Sequence, residues 1–414
     1  LKTWKHRASL SILCILAVST PGVSYGQAMP SIGQTLTGID VLETENFAPL
    51  AGKRVGLITN QTGRDRAGRS TIDLLAHAPN VKLVALFSPE HGIRGTADDK
   101  VSSSTDAQTG LPIYSLYGET TRPTDAMLVG IDALVFDIQD AGVRFYTYIT
   151  TMGYAMEAAA QQRIAFYVLD RPDPLGGNRI EGPMLDSDKT SFVGYFPMPV
   201  QPGMTLGEMA RMFNAENHLD CDLHVIAMKN WNRRELFDQT GLPWINPSPN
   251  LRSFKEELLY PSLEMLQAGG VSVGRGTDNP FEQIGAPWIH AEELVAQLKK
   301  DIPFNVDFAP VHFTPQSGLY AGESCEGAGI SILSRRPFND EVQAGSIALG
   351  VELAATLRRL YPEHFDVAKM IFLVGNAETI TRLERGDPPA EIIDGWKNDL
   401  DAFCRIRAKY LLYH

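Results

Sequence analysis

Four short apolar runs recur between residues 50 and 175: Arg54–Thr59 (RVGLIT), Val81–Ser88 (VKLVALFS), Ile131–Ile138 (IDALVFDI) and Arg163–Asp170 (RIAFYVLD). Each is rich in Val, Ile, Leu and Phe, without clean alternation of apolar and polar positions. A strand with one wet face would alternate, so these runs predict strands covered on both faces, as in a parallel sheet. Between them the period changes. Ser70–Ala78 carries Ile72, Leu74 and Leu75 and stops at Pro79, and Tyr148–Gln162 carries Met152, Ala155, Met156 and Ala159 at helical spacing. Alternating strand and helix predicts an α/β fold with a Rossmann-like, mostly parallel sheet.

Further along the pattern loosens. Residues 176–290 are broken by Pro and Gly at Phe196–Pro199, Pro243–Leu251 and Gly269–Gly276, which predicts long elaborations draped around the sheet. Regular periodicity returns at Ala291–Lys300 and Asp340–Leu360, both expected as amphipathic helices. The expected organisation is a catalytic Rossmann-like domain over 29–290 and a smaller α+β C-terminal domain over 291–414.

Residues 1–28 read as a signal peptide. Lys2, Lys5 and Arg7 precede an apolar run from Ala8 to Thr20, Pro21 and Gly22 break it, and small residues follow at Ser24, Gly26 and Ala28. The run is shorter than the ~20 residues a spanning helix needs. Export to the periplasm or the extracellular space is therefore expected, with no stable membrane insertion after cleavage. The formal net charge is −12, and loss of the three basic leader residues makes it more negative still. Such a chain is a poor partner for nucleic acid. Cys14 leaves with the leader, and Cys221, Cys325 and Cys404 are spaced too widely for a local metal knuckle, so buried free thiols are expected. The sequence leaves the oligomeric state open.

In a sheet of this kind ligands bind beyond the carboxyl ends of the strands. The four exits begin Asn60-Gln61-Thr62-Gly63, Pro89-Glu90-His91-Gly92-Ile93-Arg94-Gly95, Gln139-Asp140-Ala141-Gly142-Val143-Arg144 and Arg171-Pro172-Asp173-Pro174. All carry glycine or proline with polar groups, and they should converge on one crevice. Glu90 is the sharpest candidate, because a carboxylate fixed at a stiff strand exit can act as acid, base or nucleophile. Its plain alternative is an ion pair with Arg94. His91 could be a substrate donor or a structural histidine. Asp137 and Asp140 could supply the second carboxylate that glycoside hydrolysis usually needs, or could end the strand and pair with Arg144. Tyr146 and Tyr148 share a face if that stretch is extended, which would suit sugar stacking. Arg94, Arg144, Arg171 and Arg275 are candidate anion forks, with simple ion pairing as the alternative.

Several chemistries find no support. No HExxH or ligand-spaced histidines suggest a metal, and no Walker A or GxGxxG suggests a nucleotide, so no cofactor is expected. Gly270-Val271-Ser272-Val273-Gly274 matches G-x-S-x-G, but a nucleophile elbow needs a following helix, and Arg275–Pro280 starts none cleanly.

Eight stretches together resemble a family of bacterial exo-β-N-acetylmuramidases, long labelled a domain of unknown function. They are Leu57–Gly63 (LITNQTG), Phe87–Gly95 (FSPEHGIRG), Ser115–Gly118 (SLYG), Asp137–Tyr148 (DIQDAGVRFYTY), Leu169–Gly177 (LDRPDPLGG), Pro247–Asn250 (PSPN), Val273–Thr277 (VGRGT) and Gly285–Trp288 (GAPW). They cover nearly the whole chain after the leader. The resemblance implies a Rossmann-like domain with a smaller C-terminal domain, and release of N-acetylmuramic acid from non-reducing ends of peptidoglycan fragments. The expected site then has Glu90 as acid/base, Asp140 or Asp137 as second carboxylate or as the group orienting a nucleophilic 2-acetamido group of the substrate, and substrate contacts from Asn60, His91, Arg94, Gln139, Arg144, Tyr146, Tyr148, Arg171 and Arg275. An Arg such as Arg94, Arg144 or Arg275 would suit the lactyl carboxylate. The chain departs from the family pattern at Gln201, at Asp173 and at Ala268-Gly269-Gly270. A cell-wall serine amidase or esterase built on Ser272, and a muropeptide-binding protein without activity, are the rival readings.

Overall fold

The computed structural model describes residues 34–95, 102–302, 306–333 and 346–414. The expected signal peptide and residues 340–345 of the expected 340–360 helix lie outside them. The central sheet has seven strands: β1 (Arg54–Thr59), β2 (Lys82–Ser88), β3 (Ser104–Thr105), β4 (Pro112–Ser115), β5 (Ala133–Asp137), β6 (Ala165–Leu169) and β9 (Leu223–Ile226), in spatial order β3-β4-β2-β1-β5-β6-β9. All neighbours pair parallel except β3, which runs antiparallel to β4 at one edge. Leaving that edge aside, the order is the doubly wound 3-2-1-4-5-6, with its topological switch between β1 and β5. Ligand crevices in such sheets open at that switch, beyond the strands' carboxyl ends.

The absence of alternation in the apolar runs has the expected cause. Ile58, Phe87, Phe136 and Phe166 point into one apolar layer and Val55, Leu57, Val135 and Tyr167 into the other. Helices α1 (Gly38–Thr44) and α2 (Thr71–His77) supply Ile39, Leu42, Ile72 and Leu75 to the second layer. Helix α4 (Thr147–Gln162), after the short α3 (Asp125–Leu128), lines the first with Ile149, Met152, Ala155 and Met156. Each fully buried Leu, Ile or Phe contributes about 1.5–3 kcal/mol.

Residues 176–290 hold more regular structure than their Pro and Gly content predicts. A two-stranded ribbon, β7 (Glu181–Met184) with β8 (Pro199–Gln201), precedes α5 (Leu206–Glu216), and α6 (Phe254–Gln267) follows β9. Both helices begin with a capping box, Thr205 with Glu208 and Ser253 with Glu256, which satisfies amides that a helix start leaves orphaned. Helix α6 contains Pro261. Its ring nitrogen cannot donate to the carbonyl of Glu257 one turn earlier.

A second, antiparallel sheet has the order β10-β12-β11, from β10 (Gln283–Ala286), β11 (Val306–Phe313) and β12 (Cys325–Ile332). Its edge strand β10 precedes residue 291, so pairing crosses the expected domain boundary. Helix α7 (Ala291–Asp301) packs on β11 and β12, and α8 (Ser346–Leu360) packs on α6 and α7, followed by α9 (Ile371–Val374), α10 (Ala377–Arg385), α11 (Pro389–Asp394) and α12 (Lys397–Arg407). One continuous apolar core runs from Ile58 of the large sheet to Phe403 of α12. Cys221, Cys325 and Cys404 are all free, the first two buried and the third half-buried.

Candidate active site

Parallel register brings the strand exits together. Ile58 faces Phe87 on one side and Phe136 on the other, and Thr59 faces Asp137. Gln61 donates to the carbonyls of Asn246 (2.7 Å) and Pro247 (3.3 Å), and the Tyr148 hydroxyl donates to the same Pro247 carbonyl (2.8 Å). The β1 exit, the start of α4 and the 247–250 segment therefore share one corner. Gly95 packs so closely on Gln61 that a Cβ there would lie 2.0 Å from its side chain. The β2 exit thus reaches that corner too. His91, Gly92 and Gly95 all take positive φ, 67°, 77° and 68°. Few residues other than glycine adopt this region, and histidine is among those that do so most readily.

Glu90 sits at this exit, half-buried, and its Oε2 accepts a hydrogen bond from the Thr147 hydroxyl at the start of α4. Two buried tyrosines, Tyr148 and Tyr260, lie within its electrostatic reach. The carboxylate is thus oriented by a hydroxyl at a helix N-terminus, where negative charge is favoured, while the residue stays partly exposed.

The β5 exit differs. Asp137 is fully buried, and Arg171 grips it with Nε at 2.6 Å and Nη2 at 3.0 Å while the Thr71 hydroxyl donates to Oδ2. Such a saturated, enclosed carboxylate has no face for a substrate, which removes Asp137 from the catalytic candidates and Arg171 from the anion forks. Gln139 is also consumed, donating to the carbonyls of Asp140 (3.0 Å) and Pro172 (2.8 Å). Arg144 is the clearest correction. It has no exposure, and its guanidinium donates to four backbone carbonyls: Pro183 (3.1 Å), Met198 (2.8 Å), Leu373 (2.9 Å) and Val374 (2.7 Å). It clamps the β7–β8 ribbon and α9 to the sheet and cannot bind a substrate carboxylate. Burial lowers its pKa to about 9, which still leaves it charged at neutral pH. Asp170 does not pair with the Arg171 side chain. Its carboxylate accepts from Thr205 Oγ1, the Gly207 amide and the Tyr413 hydroxyl, anchoring α5 and the chain end.

Asp140 is buried at 5% exposure. One oxygen accepts the Gly142 amide at 2.9 Å, and the other has no protein partner. Desolvation raises its pKa to about 7. Asn60 forms an Asx turn with the Thr62 amide and hydroxyl (2.9 and 2.6 Å), and its Nδ2 is buried without a protein partner. Tyr146 and Tyr148 do not lie on an extended segment, since Tyr146 caps α4 and Tyr148 is in its first turn. Their rings meet edge to face at 4.8 Å, and Tyr260 covers Tyr146 at 5.9 Å, so neither offers a free face for sugar stacking. Arg94 is largely exposed and pairs with Asp106 at 3.3 Å. Arg275 is about a quarter exposed, pairs with Glu264 at 2.9 Å and lies 5.1 Å over the Phe281 ring. Ser272 is buried, bridged to Gly285 in a β-type pair and followed by a turn instead of a helix, so no nucleophile elbow forms. Gln201 is buried in the β7–β8 ribbon, and a Cβ at Gly269 would sit 2.5 Å from the Phe365 ring. Those departures therefore belong to packed positions.

Sequence reasoning gave Asp173 no role beyond a departure from the family pattern, and missed Thr147, Glu257, Tyr260 and Glu264. The last three could have been found by spacing: residues 257, 260 and 264 fall at i, i+3 and i+7 and share one face of α6. Acidic side chains on the buried stripe of a helix are an unusual pattern. Tyr260 is raised by burial, and the charges acting on its hydroxyl include Glu264, Arg275, Glu257 and Glu90. Tyr260 thus lies within electrostatic reach of both Glu90 and Arg275. Among the described residues no group of three His, Cys, Asp or Glu is placed to hold a metal ion, and no helix is long and apolar enough to cross a membrane.

A doubly wound sheet of order 3-2-1-4-5-6, with a half-buried glutamate on its β2 exit and a buried aromatic and carboxyl wall behind it, defines a Rossmann-like protein with an acid-bearing crevice at its strand exits. The chain belongs to the exo-β-N-acetylmuramidase NamZ family: residues 55–255 match the family's N-terminal domain and 258–413 its C-terminal domain. It is 44% identical over 382 residues, 91% of each chain, to the peptidoglycan β-N-acetylmuramidase NamZ of Bacillus subtilis strain 168. Two crystal structures of DUF1343 family proteins from Bacteroides fragilis are also similar. One superposes with a TM-score of 0.84 at 41% identity, covering 93% of this chain and 100% of the other. The second gives 0.75 at 33% identity, covering 92% and 99%.

Proposed function

We propose that the chain is an exo-acting glycoside hydrolase that releases N-acetylmuramic acid from the non-reducing ends of peptidoglycan fragments, with Glu90 as its acid/base. The observation that carries the assignment is the state of Glu90. Of Glu90, Asp137 and Asp140, it alone is partly exposed, and Thr147 orients it. In hydrolysis the bond between the anomeric carbon and the leaving oxygen breaks, that oxygen takes a proton, and water supplies the new hydroxyl. Glu90 is suited to deliver the proton and later to accept one from water. With Asp137 saturated and Asp140 enclosed, the substrate's own 2-acetamido oxygen displaces the leaving oxygen, which takes the Glu90 proton, and water then opens the cyclic intermediate while giving its proton to Glu90.

Arg275 is the guanidinium we assign to the lactyl carboxylate. Tyr260 feels both Glu90 and Arg275, which supports that assignment. The leader-like residues 1–28 would carry the enzyme out to its polymer, in the periplasm or beyond the cell. Incubation with a muramic acid–glucosamine disaccharide tests the reading: free N-acetylmuramic acid is expected, and its anomeric form reports the stereochemistry. Intact disaccharide recovered with full binding would leave a muropeptide-binding protein instead.

A further inference from the structure

Behind the Glu90 exit lie three carboxyl groups that the reaction does not use. Asp140 leaves β5, Asp173 follows β6, and Glu257 projects from α6; they are 5%, 3% and 0% exposed. Asp140 spends one oxygen on the Gly142 amide and Asp173 one on the Leu175 amide, at 2.9 and 3.0 Å. The remaining oxygen of each, and both oxygens of Glu257, are buried with no protein partner. Gly142 lies between the first two. It takes φ 71°, and a Cβ there would sit 2.5 Å from Asp173 Oδ1. The Tyr146 hydroxyl, 7% exposed and also without a partner, is acted on by the charges of both Glu257 and Asp140.

No Lys or Arg side chain among the described residues bonds any of the three. Two cations act on Asp173, Arg233 and Arg407, and both are engaged elsewhere: Arg233 with Glu208 and with the carbonyls of Gly177 and Gly203. Arg407 of α12 is bound to the same two carbonyls. The other titratable groups around the cluster are Glu90, Tyr148, Glu208, Glu256, Tyr260 and Glu264, with Arg275 acting on Tyr260 beside them and paired to Glu264. An enclosed carboxylate without a counter-charge is far more costly than a carboxylic acid, so such groups keep their protons. A protonated carboxyl is also a donor, and can bond the free oxygen of a neighbour.

We propose that Asp140, Asp173 and Glu257 are positioning residues for the Glu90 reaction, a cluster of buried, protonated carboxyls that packs around the 140–147 turn and keeps its shape. That turn carries Tyr146 and Thr147, and Thr147 is what orients Glu90, so this inference rests on the assignment of Glu90 as the acid/base. Asp140 is raised to about 7, and Asp173 and Glu257 are raised well above their ordinary range, all chiefly by burial. Carboxyls with raised folded-state pKa values contribute stability that is complete below their unfolded values, near 4, and is lost as pH rises through the folded values. For Asp140 that loss spans about pH 4 to about 7, and for the other two it continues above.

The test uses the full chain and three readouts across about pH 5 to 9: thermal midpoint, kcat and KM on the disaccharide, and the infrared band of protonated carboxyl groups. The wild type is expected to lose midpoint and kcat together as pH rises, with KM little changed. Asp140→Asn, Asp173→Asn and Glu257→Gln each keep a neutral donor at one position. Each should flatten the fall in midpoint, shift the alkaline kcat limb upward and remove part of the carboxyl band. Where one variant fails to fold, the others and the wild-type infrared band still decide. Midpoint curves parallel to wild type, or no protonated carboxyl band at neutral pH, would overturn the cluster. A flattened midpoint curve with an unmoved kcat limb would overturn its positioning role. A wild type that never cleaves the disaccharide would overturn the hydrolase reading and, with it, the positioning role.

Discussion

The exits of β2 and β5 look alike in sequence, each mixing carboxylates, an arginine and glycines within a few residues of a strand end, yet they do opposite work. At β2, Glu90 gives one oxygen to Thr147 and stays partly exposed. At β5, Asp137 is consumed by Arg171 and Thr71, and Arg144 by four carbonyls. Reactive capacity follows unspent hydrogen bonds and exposure, and residue type alone does not reveal either. A buried ion pair with every lone pair satisfied is rigid scaffolding, and removing one member leaves a costly uncompensated charge. The β5 exit holds the switch point in shape so that the β2 exit can present a single, oriented acid.

The largest effect should come from Glu90→Gln. The amide oxygen still accepts from Thr147, so folding should be nearly unchanged, while the loss of proton transfer lowers kcat by roughly 10²–10⁴-fold. Steady-state release of N-acetylmuramic acid, read beside a thermal midpoint, checks both halves. Turnover within a few-fold of wild type would place the chemistry elsewhere and erase the contrast. The converse experiment is Asp137→Ala, which strands Arg171 in the interior. A stability loss of about 3–5 kcal/mol is expected from urea unfolding. Unchanged stability with a selective loss of kcat would return Asp137 to the chemistry.

Much of this contrast could not be read from the chain. The strands could: β1 falls on 54–59 as its apolar run predicts, and the other three runs contain β2, β5 and β6. Burial on both faces leaves a local signature. Glu90 was legible for a related reason, since a glutamate between Pro89 and Gly92 at a strand exit is fixed by local geometry. The fate of Arg144 was not, because its acceptors at Leu373 and Val374 lie some 230 residues away. Arg171 was legible as an arginine beside Asp170, but the partner it chooses, Asp137, is set by strand register. Helices α5 and α6 were obscured by the Pro and Gly around them and by Pro261 inside α6, although both capping boxes were present in the sequence. Tyr146 and Tyr148 were misjudged because the helix begins at Thr147, two residues after Phe145, where an extended stretch was also compatible with the pattern.

Thr147 sharpens the β2 side of the comparison at a smaller scale. A hydrogen bond to an ionised group contributes about 1.5–3 kcal/mol, so Thr147→Val should lower kcat by roughly ten- to a hundredfold through loss of Glu90 orientation. Thr147→Ser, which keeps the hydroxyl, should recover most of that loss. If valine and serine behave alike, the side chain matters for packing at the start of α4 and not for the carboxylate.

The smallest effect separates the two arginines left for the lactyl carboxylate. Arg94 is 59% exposed and its pairing with Asp106 at 3.3 Å is a surface contact, of a kind that contributes about 0–1 kcal/mol. Arg94→Gln should therefore raise KM by no more than about fivefold. Arg275 is better enclosed and braced by Glu264 and the Phe281 ring, so a charge-assisted bond from it is worth about twice a neutral one. Arg275→Gln should raise KM the more of the two, and only for substrates bearing the lactyl group. Comparing muramic acid and glucosamine glycosides with each variant isolates that term. A larger, lactyl-dependent KM effect at Arg94 would move the carboxylate contact onto the β2 exit itself, so that one loop would both bind the sugar and cleave it.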